Sequence, residues 1–355
     1  MSAPTPSLDP AGPLELVSAR TLFSDAPPGR RSAASIVRVE SSGRLLMCYS
    51  HVIGVTLRNQ AALMLTTSDD DGETWTDPLA LYAYPGWFSL AMGGLARIAD
   101  DNIKVLLGRI LIDLSLGGTE PMTGWYVASA TTSDGGDTWS EPSPEIRLFP
   151  EWTELYGASN PHRLDDGRLL WAVMGTRGRD VGWHAGVSVS DPRGDRFEPP
   201  TIIAQADDRD YSDIDVVRLD DGRFLAVIRE HKTRQSVWSH SADEGRTWSA
   251  IRPTPFLGSN IKLFRLRSGA IACAYRDEDP ARRGVSLSIT GDGGASWTFG
   301  GQLYAAGSDA LHEPGSVCGY PDVAVLGSGE IGAVLHAYPS AEGTQLHWLR
   351  LRDRT

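Results

Sequence analysis

An eight-residue turn recurs along this chain and limits what the chain can fold into. Ser68-Asp69-Asp70-Asp71-Gly72-Glu73-Thr74-Trp75 is the first copy, and Thr132 to Trp139, Ser241 to Trp248 and Thr290 to Trp297 repeat it. Each has a hydroxyl residue, Asp two positions on, Gly two further, a second hydroxyl residue and then Trp. Ser190 to Phe197 is a worn fifth copy. It keeps Ser190, Gly194 and an aromatic residue, but Asp191 is out of step and Pro192 stands where the Asp belongs. Each copy follows a short apolar run, such as Ala61 to Leu65 or Val285 to Ile289. The unit therefore reads as a tight turn between two strands. Its Asp accepts backbone N–H groups, its Gly supplies positive φ and its Trp packs beneath the hairpin. Recurrence at intervals of roughly 50–60 residues points to blades.

A second repeat interleaves with the first. Two-residue turns at Ser42-Gly43, Asp101-Asn102, Asp166-Gly167, Asp221-Gly222, Ser268-Gly269 and Ser328-Gly329 each join two apolar runs, a hairpin signature. Six hairpins, each followed by a second strand pair, predict an all-β, six-bladed β-propeller closed into one ring. Residues 1–14 read as a flexible N-terminal segment and 15–355 as one propeller domain, with the stretch from about residue 12 to 22 completing the last blade.

Composition narrows the function. A net charge of −12 argues against nucleic acid and anionic membrane surfaces as partners, while leaving room for a local arginine cluster that takes a small anion. Cys48, Cys273 and Cys318 are odd in number and fit no metal spacing, so buried free thiols are expected. The first residues have neither a basic region nor an apolar run, so no signal peptide or membrane span is expected, and a cytoplasmic protein is the simplest reading. No phosphate loop, dinucleotide fingerprint or His/Cys metal set is present, and no cofactor is expected.

The recurrent turns resemble the Asp boxes of the sialidase (neuraminidase) superfamily, also called BNR repeats. The resemblance covers nearly the whole chain. It implies that the boxes lie away from the active site, which sits where the inner strands enter and leave the channel. It implies an arginine triad for a sugar carboxylate, matched here by Arg31, Arg229 and Arg283, with Arg276 the rival for the third place. It implies a nucleophilic tyrosine at Tyr320, in Cys318-Gly319-Tyr320-Pro321. The partner base in the family is a Glu before the first strand of blade four. The segment from Tyr211 to Val217 covers that place, with Asp213 the nearest match, Asp215 the alternative, and Tyr211 a substrate-side aromatic. The family's general acid is an Asp in the loop after the second strand of blade one. That loop has no acidic residue here, and His51 is its one obvious proton donor. His231 and His336 are further candidates. The acidic run Asp277-Glu278-Asp279 lacks EF-hand spacing.

These readings lead to a carbohydrate-active enzyme that cleaves a terminal acidic sugar. The alternatives are a non-catalytic propeller that binds glycan or protein, and a neutral-sugar hydrolase or polysaccharide lyase on the same fold.

Overall fold

Alternating apolar residues and two-residue turns make strands, and strands fill this molecule. A computed structural model describes residues 6–23, 30–52, 61–84, 87–112, 122–146, 148, 154–177, 182–206, 208–306, 318–340 and 343–355. The chain opens with β1 (Ser7–Leu8) and β2 (Leu14–Leu22). Among the described residues the later strands are taken as six successive antiparallel units. The first is β3 (Arg30–Arg38), β4 (Leu45–Val52), β5 (Ala61–Ser68) and β6 (Leu79–Tyr82). The second is β7 (Trp87–Leu90), β8 (Leu95–Arg97), β9 (Ile103–Ile112) and β10 (Met122–Thr132). The third is β11 (Glu154–Gly157), β12 (His162–Arg163), β13 (Leu169–Thr176), β14 (His184–Val189) and β15 (Thr201–Ala204). The fourth is β16 (Tyr211–Arg218), β17 (Phe224–Glu230), β18 (Gln235–Ser241) and the first half of β19 (Arg252–Arg265). The second half of β19 opens the fifth, with β20 (Ile271–Asp277), β21 (Gly284–Thr290) and β22 (Thr298–Ala305). The sixth is β23 (Cys318–Val325), β24 (Ile331–Ser340) and β25 (Gly343–Asp353), with β2 paired to β25 as its outermost strand.

The apolar core lies between units. One cluster joins units one and two through Leu46, Leu63, Leu95 and Val105. Another joins the last unit to the first through Ile36, Met47, Tyr49, Val334 and Trp348. Hydrogen bonds cross that same junction: the Ile36 N–H donates to Asp322 Oδ2 (2.8 Å), and the Gly327 and Ser328 N–H groups donate to the Asp71 carboxylate (2.7 and 2.9 Å).

Of the segment 1–14 expected to be flexible, residues 1–5 lie outside the described residues, and the rest is held against the fold. Ser7 and Leu8 pair with Gln302 and Gly301 on the edge of the fifth unit. The Arg354 backbone N–H and guanidinium hold the Pro13 and Pro10 carbonyls. A two-residue strand flanked by prolines has too little periodicity to show in sequence.

The Asp boxes work by closed hydrogen bonding. In the first, the Gly72 N–H donates to Ser68 Oγ (2.9 Å) and Ser68 Oγ donates to Asp70 Oδ1 (2.8 Å). The Thr74 N–H and hydroxyl donate to the two Asp70 oxygens (2.8 and 2.6 Å). The box glycine does more than turn the chain. A Cβ on Gly72 would lie 2.4 Å from Trp348 Cζ2 of the sixth unit. In the worn copy Asp191 still accepts the Asp195 N–H (3.0 Å), so the turn survives the lost consensus.

Candidate functional site

Four of the inner strands carry the same irregularity. Pairing of the first strand with the second slips between Ser32 and Ser35, Ser212 and Asp215, Ser259 and Lys262, and Gly319 and Asp322. Each slip is a bulge, and each holds one non-glycine residue at positive φ: Ala33 (50°), Asp213 (44°), Asn260 (50°) and Tyr320 (44°). Such backbone costs roughly 1–3 kcal/mol per residue and gathers at functional sites. All four line one open recess, which also takes in Ala91, Ala158, Lys262 and Asp322. Ala33, Ala91, Gly94 and Ala158 leave room on the side of units one to three, and Asp213, Lys262 and Asp322 bring charge to the other.

Tyr320 is half-buried at this recess. Its ring stacks on His336 at 5.5 Å and 29°, and the Arg276 guanidinium lies 5.8 Å from its centroid. The Arg276 Nε–H donates to the Cys318 carbonyl, two residues before the tyrosine. Burial raises the phenol pKa above its ordinary value, and the Asp213 charge adds to this. Arg276, Arg229 and a hydrogen bond from Asn260 act the other way.

Asp213 is buried and held on three sides. Its Oδ2 accepts from Arg229 (3.0 Å), from the Asn260 N–H (3.2 Å) and from Asn260 Nδ2 (3.4 Å). Arg229 also approaches Glu278 Oε1 (3.6 Å), which accepts the Ser259 hydroxyl (2.6 Å). Beside Arg229, the His231 ring bonds the Ser212 hydroxyl (2.5 Å), and burial and the arginine lower its pKa.

Of the remaining expected residues, Arg283, Asp215 and Tyr211 do not reach the recess. Arg31 is buried at the start of β3, where it bears on the Tyr49 phenol. His51 faces Arg31 in the β3–β4 register, and burial followed by the Arg31 charge lowers its imidazole pKa. The loop after His51 from residue 53 to 60 lies outside the described residues. Arg283 is exposed, and its carbonyl rather than its guanidinium is engaged, by the Ala306 N–H. Arg276, its rival for the third arginine place, is the one that lies beside Tyr320. Asp215 is fully buried in a structural role: it accepts its neighbour's Val216 N–H (2.9 Å) and the Leu263 N–H of the next inner strand (2.7 Å). Tyr211 packs in the apolar core between units three and four, where burial raises its pKa. Glu230 caps its own turn through the Lys232 and Thr233 N–H groups instead of pairing with Arg229.

The same recess holds a polar floor built on Lys262, a residue that sequence reasoning did not single out. Lys262 Nζ meets Asp322 Oδ1 at 2.8 Å and Asp215 Oδ2 at 3.8 Å. Burial opposes its charge, but the two carboxylates outweigh that and raise its pKa. Asn160 Nδ2 donates to Asp322 Oδ2 (2.8 Å), and Ser35 donates to Asn160 Oδ1 (2.6 Å). A lysine inside the apolar run Ile261 to Phe264 was the available signal, because a buried Lys demands a partner. Among the described residues, no group of three or more His, Cys, Asp or Glu is placed to hold a metal ion.

Residues 115–333 match the family model of a BNR repeat-like domain. No curated protein sequence matches the chain. The chain is similar to a Dyadobacter fermentans protein of unknown function, at 16% identity and a TM-score of 0.79 over 96% of this chain and 100% of that one. It is similar to a Hadza microbial sialidase at 19% identity and a TM-score of 0.68, over 90% of this chain and 65% of that one. It is also similar to a Penicillium chrysogenum α-L-arabinanase, solved with arabinobiose, at 13% identity and a TM-score of 0.64 over 96% and 99% of the two chains. At such identities the likeness is one of fold.

Proposed function

We propose, from the premise that this chain belongs to the BNR repeat-like domain family and has the fold of the sialidases, that it is a sialidase-like glycoside hydrolase acting on a terminal acidic sugar. The fold is read as a six-bladed propeller. Six successive units, and a core and hydrogen bonds that join the last unit to the first, support that reading.

One observation carries the functional proposal: Tyr320 and Asp213 line the same recess from strained bulges, with Arg276 beside the phenol and Arg229 behind the carboxylate. Tyr320 Oη attacks the anomeric carbon and passes its proton to Asp213 as the new bond forms. A neutral phenol approaches a carboxylate-bearing sugar without the repulsion a carboxylate nucleophile would meet. The bond to the leaving oxygen breaks as His51 donates its proton there. Water then attacks the anomeric carbon and gives a proton to His51, while the phenol recovers its own from Asp213. Arg276 and Arg31 are the candidate anchors for the sugar carboxylate.

A neutral sugar is the second reading. Arg229 already serves Asp213 and approaches Glu278, which leaves less unpaired positive charge for an anion. Turnover of fluorogenic sialic acid, uronic acid and neutral glycosides by wild type and Y320F separates the cases. Cleavage of an acidic glycoside, lost in Y320F, is expected. Cleavage confined to neutral glycosides overturns the acidic assignment, and an active Y320F overturns the nucleophile.

A further inference from the structure

The inner strand β19 lies between β16, which carries Asp213, and β23, which carries Tyr320, and it contacts both. Its bulge residue, Asn260, is 4% exposed. We infer that Asn260 is the positioning residue of this site, fixing the Asp213 carboxylate on one side and the Tyr320 segment on the other. The inference rests on the glycosidase reading above and adds a residue to it.

Toward Asp213, Asn260 uses both its backbone N–H and its side-chain amide, on the same Oδ2 that Arg229 holds. Toward Tyr320, it packs where a side chain is missing. A Cβ on Gly319 would lie 2.3 Å from Asn260 Oδ1 and 2.7 Å from Arg276 Nη2, so glycine before the tyrosine lets amide and guanidinium close on the peptide that carries the phenol. Asn260 Oδ1 is buried without a hydrogen-bond partner, a state that fold stability disfavours and a site tolerates. The residue type fits the position. Asn accepts left-handed φ better than most side chains. Its amide donates and accepts without adding charge beside Asp213. The same amide favours the ionised form of the Tyr320 phenol, which is the form that must develop during attack.

The test places 3,5-difluorotyrosine at position 320 and titrates it by fluorine NMR in the otherwise wild-type protein, in N260G and in N260D. Glycine accepts the Asn260 backbone angle and keeps the N–H bond to Asp213, so N260G removes the side chain alone. Thermal unfolding checks that both variants fold. The inference predicts a phenol pKa higher by roughly 0.5–1 unit in N260G and higher still in N260D, where a second carboxylate joins Asp213. With a cleaved glycoside in hand, kcat falls roughly tenfold in N260G while KM changes little. A phenol titration in N260G that superimposes on wild type overturns the inference, whatever the activity. A shifted phenol with no glycoside turned over supports the Asn260 role and removes the glycosidase reading instead.

Discussion

The molecule repeats itself in two places, and it treats the two differently. At the Asp-box turns the same residues return in the same bonds: Asp70, Asp134, Asp243 and Asp292 each accept a main-chain N–H and a hydroxyl four residues on. At the inner-strand bulges the same backbone returns with different residues: Ala33, Asp213, Asn260 and Tyr320. The boxes close their turns on their own Asp and hydroxyl groups and seat one unit on the next, so divergence there costs stability. The bulges set one strained frame several times over and aim a different side chain from each into one recess. Repetition of sequence marks the scaffold, and repetition of geometry without repetition of sequence marks the site.

Substitutions at the two places should separate stability from activity. The largest effect is expected from Y320F, with kcat down roughly 10³-fold and an unfolding midpoint in urea close to wild type. A large loss of stability would place Tyr320 with the scaffold. Next comes Gly72→Val at a box. Strain at positive φ and the clash with Trp348 should cost about 3 kcal/mol in urea unfolding, with activity per folded molecule retained. H51Q follows, lowering kcat/KM by roughly 10²-fold. His51 must be protonated to act as the acid, and its pKa lies below the ordinary histidine value, so wild-type activity should decline as pH rises through that lowered pKa. H51Q should lose this limb of the profile, and a profile that keeps it assigns the proton to another group.

The smallest effect is expected from D292N, at about 1 kcal/mol at neutral pH after allowance for solvent screening. The Asp292 pKa is lowered to about 2, first by the Ser296 hydroxyl and then by the Ser296 backbone. Its contribution is therefore present above the ordinary carboxylate range and is lost as pH falls toward 2. The gap between wild type and D292N should close over that interval, and a gap independent of pH would show that the ionised carboxylate is not what stabilises the box.

Much of the scaffold was legible because it is written in local spacing. The Gly43, Gly167, Gly222, Gly269 and Gly329 turns all adopt the positive φ that their hairpin reading requires. The site was legible in part. Tyr320, Asp213, Arg229 and Arg276 are brought together, while Arg283 and Tyr211 are not. Position along a strand end says which unit a residue belongs to. Whether its side chain reaches the recess depends on bulge and loop geometry that spacing does not carry. Asp213 and Asp215 stand two apart in one strand, yet the bulge sends the first to the recess and buries the second against Leu263. The Lys262–Asp322 pair joins residues from different units, so the apolar run around Lys262 signals that a partner is needed but not which one.

The central claim is that Tyr320 carries the sugar during turnover. It is tested most directly by quenching the enzyme in acid during cleavage of its glycoside and mapping glycosyl mass on its peptides. The account predicts one added glycosyl group on the peptide containing Tyr320 and none in Y320F. Rapid turnover with that peptide unmodified and Y320F fully active would contradict it.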